Sequence, residues 1–203
     1  MPQVLAIPPG TPWHKPMREI DALKGYYGGS ILVIGSGPSA CSHVAEINQI
    51  KIPKMLCSGG HYPDGLEPMD FVFTSDSFWL HRKFPISAKT VLISRGIIAD
   101  PHDQIKVCLR TSYHWLKQIK MEFYSGPAAI KMAMYLGFRT VFHCGMDGGL
   151  DPRLGIDYSS SLLQIRELTK EYPDWIMPWK FSTTETATSS GSTKPEASGS
   201  PTE

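Results

Sequence analysis

Short uninterrupted apolar runs alternate along this chain with stretches whose apolar residues recur every three or four positions. Ser30–Gly35 (SILVIG) is apolar on both faces and ends in glycine, the pattern of a buried strand. Pro38–Ile50 follows, with Ala40, Cys41, Val44, Ala45 and Ile47 at helical spacing. Lys54–Cys57, Phe71–Thr74 and Thr90–Ser94 predict further strands, with a turn or short helix over Asp76–His81. Thr111–Met121 reads as helical. Ser125–Leu136 has Ser125 to cap it, Pro127 in its first turn and Gly137 to end it. Arg139–Cys144 predicts a strand and Tyr158–Tyr172 a last helix, which Pro173 stops.

Strands alternating with helices imply βαβ units. The expected fold is a single α/β, Rossmann-like domain, a mainly parallel sheet with helices on both faces. Ligands in such sheets sit beyond the carboxyl ends of the strands. That rule selects Gly35–Ser39, Cys57–His61, Ser75–Asp76, Ser94–Arg95 and Gly145–Asp147, all polar or glycine-rich. Residues 1–27 read as an N-terminal arm and helix; Pro8, Pro9, Pro12 and Trp13 suit an extended arm able to reach a neighbouring subunit in a homo-oligomer. Residues 28–180 form the domain. In 181–203, twelve of the 23 residues are Ser or Thr and Phe181 is the only large apolar one, so this stretch is expected to be a disordered tail.

Composition narrows the function. A length of 203 residues with 41% apolar content suits one packed domain, too short for multidomain dehydrogenases. The formal charge of +1 gives no reason to expect general nucleic-acid or membrane-surface binding. There is neither a signal-peptide pattern nor an 18-residue apolar run, so a cytoplasmic protein is expected. Cys41, Cys57, Cys108 and Cys144 include no CxxC pair. They read as free thiols in a reducing compartment, though two disulfides remain the alternative.

The sharpest motif is Gly35-Ser-Gly-Pro-Ser-Ala40, between a strand and a helix. Gly35 permits a tight turn, Gly37 lets backbone approach a ligand, and Ser36 and Ser39 add hydroxyls around Pro38. The following helix aims free N–H groups at a phosphate. The alternative is a plain strand-to-helix turn. A dinucleotide enzyme would need an acidic residue after the second strand. Leu56-Cys-Ser-Gly-Gly-His61 has none, and the next is Asp64. The second motif runs from Ser125-Gly126 through a small-residue helix, LGFR and a strand to Gly145-Met-Asp147. Ser125 and Gly126 make another helix start able to take a phosphate. Asp147 could bind a sugar hydroxyl, a base or a magnesium ion, or merely form the turn. His61 could act as a general base or be a surface histidine. Asp76 could touch ligand or cap a helix. His143 reads as a packed core residue, and Trp175 and Trp179 as packing for a C-terminal segment.

In these two motifs, over roughly residues 28–150, the chain resembles the Rossmann-like family of bacterial sialyltransferases with a GNGPS loop. That family also holds motility-accessory-factor glycosyltransferases, archaeal 6-hydroxymethylpterin diphosphokinases and small phage proteins. The resemblance implies a nucleotide or nucleotide-sugar donor, a hydroxyl acceptor and a phage-encoded source. Gly35–Ser39 would contact the nucleotide, Ser58 would stand where the sialyltransferases have an asparagine, and Ser125 and Gly126 would lie near the base, with Gly145 before the G-x-D aspartate. The departures are local. Glu122 stands where those enzymes carry an arginine, Gly148 and Gly149 where they carry a tyrosine, and no histidine follows His143. The phosphate would then be met by Arg95, Arg153, Lys131 or magnesium on Asp147. Glycosyl transfer is the leading expectation, with His61 and Asp147 as catalytic candidates. A magnesium-dependent diphosphokinase-like reaction and a non-catalytic virion-associated or binding protein that keeps the fold are the alternatives.

Overall fold

The computed structural model of the chain describes residues 4–5, 17–57, 62–74, 90–94, 107–110, 124–152 and 155–182. Its strands are β1 Val4–Leu5, β2 Met17–Glu19, β3 Ser30–Ile34, β4 Lys54–Cys57, β5 Phe71–Thr74, β6 Val91–Ser94, β7 Val107–Arg110, β8 Thr140–Cys144, β9 Leu150–Asp151, β10 Ile156–Asp157 and β11 Ile176–Pro178. The helices are α1 Pro38–Cys41, α2 Val44–Gln49, α3 Ser125–Tyr135 and α4 Ser159–Glu171. Among the described residues one sheet runs β1-β2-β7-β6-β5-β4-β3-β8-β11, and β9 and β10 pair only with each other. Every pairing in the large sheet is parallel except β1 with β2. The expected α/β architecture with a mainly parallel sheet is the observed one.

Burial on both faces explains the uninterrupted apolar runs. Ile31, Val33, Met55, Phe71 and Phe73 alternate onto the face packed by α3 and α4. Leu32, Ile34, Leu56 and Val72 point to the other face, against Ala40 of α1 and Ile47 of α2. Helix α3 ends as its sequence predicts. Gly137 takes φ +102°, its N–H donates to the Met134 carbonyl, and the Phe138 N–H reaches back to Ala133.

Several sequence expectations are corrected. Pro38–Ile50 is two helices, not one. The Ser42 hydroxyl donates to the Pro38 carbonyl and the His43 Nδ1–H to the Ser39 carbonyl, while the His43 N–H bonds back only three residues, to Ala40. Side chains competing for the backbone tighten the turn and restart the helix. Tyr124, not Ser125, occupies the capping position of α3. In the N-terminal segment β2 pairs with β7, and Ile20, in the 3-10 turn Ile20–Leu23, lies in the core at 1% exposure. Phe181 and Ser182, the first residues of the stretch expected to be a tail, pack on the domain: Phe181 stacks on His43 at 4.0 Å and the Ser182 N–H faces the Glu46 carboxylate; residues 183–203 lie outside the described residues. Asp76–His81 and Thr111–Met121 lie outside the described residues. Cys41, Cys57 and Cys144 are free thiols, the first exposed and the others buried. No described helix is long and apolar enough to cross a membrane.

Candidate functional site

Strand β3 is flanked by β4 and β8. From β3 the chain passes to α1 and α2 on one face; from β8 it passes to the β9–β10 hairpin and then to α4 on the opposite face. Neighbouring strands whose continuations part in this way leave a crevice at their carboxyl ends, where ligands of α/β sheets bind. The Gly35–Ser39 and Gly145–Asp147 loops meet there.

Their contact is backbone on backbone. The Gly35 N–H donates to the Cys144 carbonyl and the Gly37 N–H to the Gly145 carbonyl, each at 2.8 Å. In return the Gly145 N–H donates to Ser39 Oγ at 2.9 Å. The Ser39 N–H donates to Asp147 Oδ2 at 2.8 Å. Glycines permit this clasp. A Cβ on Gly35 would overlap the Gly145 carbonyl, and one on Gly37 would lie 2.5 Å from Asp147 Oδ2 and 2.7 Å from the Gly145 oxygen. Gly145 has φ +67°, a conformation that favours glycine.

The clasp changes the reason for the motif. The sequence suggests that Gly37 is bare so that a ligand can approach; in the structure its open side faces Gly145 and Asp147. The N–H groups of Ala40 and Cys41 both turn back to the Gly37 carbonyl, and Pro38 has none. So the N–H groups of Gly35, Gly37, Ser39, Ala40 and Cys41 are each committed within the protein. Asp147 supplies to α1 the cap that a glycine at the N-cap position cannot.

Beside the clasp lies a cavity of about 620 Å³, within the ~300–1,000 Å³ usual for small-molecule sites. Gly35–Pro38 with Cys41, and Cys57 at the end of β4, form one side; Tyr124–Gly126 at the start of α3 form another. Gly145–Pro152, Ile156, Tyr158 and Ser161 complete it. The tyrosines meet edge to face, with ring centroids 6.4 Å apart and planes at 62°. Asp147 and Asp151 are the carboxylates of the described lining, which contains no lysine, arginine or histidine. The first turn of α3 opens here with the partial positive charge of an eleven-residue helix. Burial pushes the Cys57 and Cys144 thiols up to about 12, so neither is a thiolate at neutral pH. Burial also lowers His143 to about 4, opposed in part by the Asp147 charge, which keeps its imidazole neutral. No group of three or more His, Cys, Asp or Glu side chains among the described residues is placed to hold a metal ion.

Of the residues singled out by sequence, Gly35, Ser36, Gly37, Pro38, Ser125, Gly126, Gly145 and Asp147 line this one cavity. Ser39 stands behind them in the clasp. Lys131, on α3, is not among the lining residues. Ser58, His61, Asp76, Arg95 and Arg153 lie outside the described residues. Sequence reasoning missed Tyr124, Tyr158, Met146, Ser161 and the hairpin. Tyr124 directly precedes a motif that was read, and Tyr158 marks the start of a helix that was read. Their convergence needed the fold.

No family model matches the chain, and no curated protein matches it by sequence. Among solved structures it is similar to a MAf glycosyltransferase from Magnetospirillum magneticum AMB-1, at 18% identity and a TM-score of 0.44. The match covers 71% of this chain and 26% of that one, so this chain accounts for about a quarter of that protein's length.

Proposed function

We propose that this protein binds a nucleotide-activated sugar in the cavity at the β3–β8 crevice and transfers the sugar to an acceptor hydroxyl. One observation carries the reading: two motifs far apart in sequence, Gly35–Pro38 and Ser125–Asp147, contribute walls of one cavity at the switch point of a parallel sheet. In this reading Ser125 and Gly126, at the positive end of α3, meet the donor's phosphate. Asp147 keeps Oδ2 on the Ser39 N–H and offers its carboxylate edge to a sugar hydroxyl. Asp147 would hold a magnesium ion brought by the donor, which would neutralise charge on the leaving phosphate, since one or two carboxylates plus substrate phosphate suffice for it. The acceptor oxygen attacks the sugar's anomeric carbon, the bond to phosphate breaks, and the nucleotide leaves with the electron pair. The acceptor proton passes to a base, for which His61, just beyond β4 in the chain, is the candidate from sequence.

A second reading, binding without catalysis, is favoured by the committed N–H groups of the 35–41 loop. Thermal shift and titration calorimetry with CMP, CDP, UDP, GDP and ATP, with and without magnesium, test both readings. Binding together with release of free sugar from a nucleotide-sugar supports transfer. Binding without turnover supports the second reading. A magnesium-dependent response to ATP or GTP redirects the assignment to diphosphokinase-like chemistry, and no response to any nucleotide removes the nucleotide-dependent readings and favours a non-catalytic structural role.

A further inference from the structure

Lys54, Thr74, Thr90 and Ser161 are the buried polar side chains among the described residues. Lys54 Nζ donates to the Ile47 and Asn48 carbonyls and Thr90 Oγ1 to the Met69 carbonyl; Thr74 is partnered as well. Ser161 is the exception. It is 8% exposed, and among the described residues neither its Oγ nor its N–H has a hydrogen-bond partner. Ser161, Ile165 and Leu168 make the buried stripe of α4, a pattern that calls for an apolar residue at each place. The close approach of α3 does not explain the serine. A Cβ on Gly126 would lie 3.5 Å from Ser161 Oγ, and alanine at 161 would leave more room. A hydroxyl taken out of water without a partner costs stability, so this one serves something other than packing.

Ser161 lines the cavity, and the starts of two helices converge around it. Tyr124 and Tyr158, in the capping positions of α3 and α4, form an aromatic corner with ring centroids 6.4 Å apart. Both helices are long, eleven and thirteen residues, and bring their positive ends here. Asp157 Oδ1 takes the N–H and hydroxyl of Ser159, so Ser161 is the α4 donor that faces the cavity. The Gly126 N–H is among those a helix start leaves unpaired, and it too has no partner among the described residues.

We propose that Ser161 is a phosphate-binding residue. Its hydroxyl and N–H, with the Gly126 N–H, donate to one phosphoryl group of the donor, held between the positive ends of α3 and α4. The assignment rests on the nucleotide-sugar reading above and deepens it, adding α4 to a contact given there to α3 alone. As the sugar's bond to phosphate breaks, negative charge grows on the leaving nucleotide, and fixed donors from two helices stabilise it.

Titration calorimetry of the full chain with CMP, CDP, UDP, GDP and ATP and with the matching nucleosides, in magnesium, tests this. At least one nucleotide is expected to bind tenfold or more tighter than its nucleoside. Ser161→Ala should weaken that nucleotide about tenfold while the melting temperature holds or rises, since the change removes an unpartnered hydroxyl and favours the helix. A packing role predicts the reverse, a loss of stability at full affinity. In the unaltered protein the amide NMR signals of Gly126 and Ser161 should move on adding the nucleotide, and their hydrogen exchange should slow, more than with the nucleoside. The inference is overturned if folded Ser161→Ala keeps full nucleotide affinity, if the nucleoside binds as tightly as its nucleotide, or if saturating nucleotide leaves both amides unchanged. Each of these results overturns this inference alone, because the nucleotide still binds. The amide measurement decides the matter even where the variant fails to fold. Failure of every nucleotide and nucleotide-sugar to bind removes the functional reading as well.

Discussion

At Gly37 a missing Cβ makes room for two atoms of the neighbouring loop, so size rather than backbone conformation restricts the position; its φ of −72° suits any residue. Gly37→Val is therefore expected to destabilise the fold by about 1–3 kcal/mol, the usual cost of overpacking, and not only to weaken ligand binding. Urea denaturation checks this; unchanged stability would mean that the clasp can open. Asp147 makes a complementary case. Asn caps a helix start as well as Asp does, whereas Ala costs about 0.5–2 kcal/mol. Asp147→Asn should hold stability and Asp147→Ala should lose about 1 kcal/mol. A tenfold fall in nucleotide affinity in the Asn variant would show that the charge also serves the ligand. His143 adds a pH dependence. Its folded pKa near 4 lies below the ordinary 6.5, so the unfolded chain binds the extra proton first. Its contribution is fully present above pH ~6.5 and is lost as pH falls toward 4, by roughly 3 kcal/mol at most. Unfolding free energies between pH 7 and 4 should flatten in His143→Gln.

At the scale of elements, the C-terminal segment is tied to the clasp by a chain of contacts. Strand β11 pairs with β8 from Ile176 to Pro178, and Trp179 meets Phe142 edge-on at 5.2 Å. Phe181 stacks on His43, whose Nδ1–H holds the Ser39 carbonyl at 2.8 Å. Ser39 in turn binds Gly145 and Asp147. Ending the chain after Ser182 should leave the melting temperature unchanged, while Phe181→Ala lowers it by about 2–4 °C, the effect of about 1 kcal/mol in a domain of this size. Hydrogen exchange at the Ser39 and Gly145 amides separates the two: protection should fall in Phe181→Ala and stay intact in the shortened chain. Equal protection in both would mean that the stack does not support the clasp.

Over the whole molecule, the sheet binds the N-terminal segment into the core. Met17–Glu19 extend it beside Val107–Arg110, and Ile20 packs in the cluster with Ile31, Phe71 and Phe138. Ile20→Ala is expected to cost about 2–5 kcal/mol, as for a buried large-to-small change, in a single calorimetric transition. A negligible loss would mean that the Met17–Leu23 segment does not contribute to the core.

The sequence by itself determined the central strands, because a strand buried on both faces must be apolar throughout, as Ser30–Ile34, Lys54–Cys57 and Phe71–Thr74 nearly are. It determined the end of α3 at Gly137, where a helix stop needs positive φ. It also identified the two loops, since glycine clusters after apolar runs mark strand ends. Only the tertiary structure decided the sheet's margins. Met17–Glu19 and Ile176–Pro178 are three residues each, and Pro178 is tolerated at an outer strand; such segments bury too little to carry a pattern. The partner of the bare side of Gly37 was likewise illegible. That glycine suits a ligand phosphate or a neighbouring loop equally well in sequence, and only the parallel pairing of β3 with β8 brings Gly145 and Asp147 against it. The aromatic corner has the same origin. Tyr124 and Tyr158 begin different helices, and they converge because α3 and α4 both start at the carboxyl edge of the sheet, on the same face.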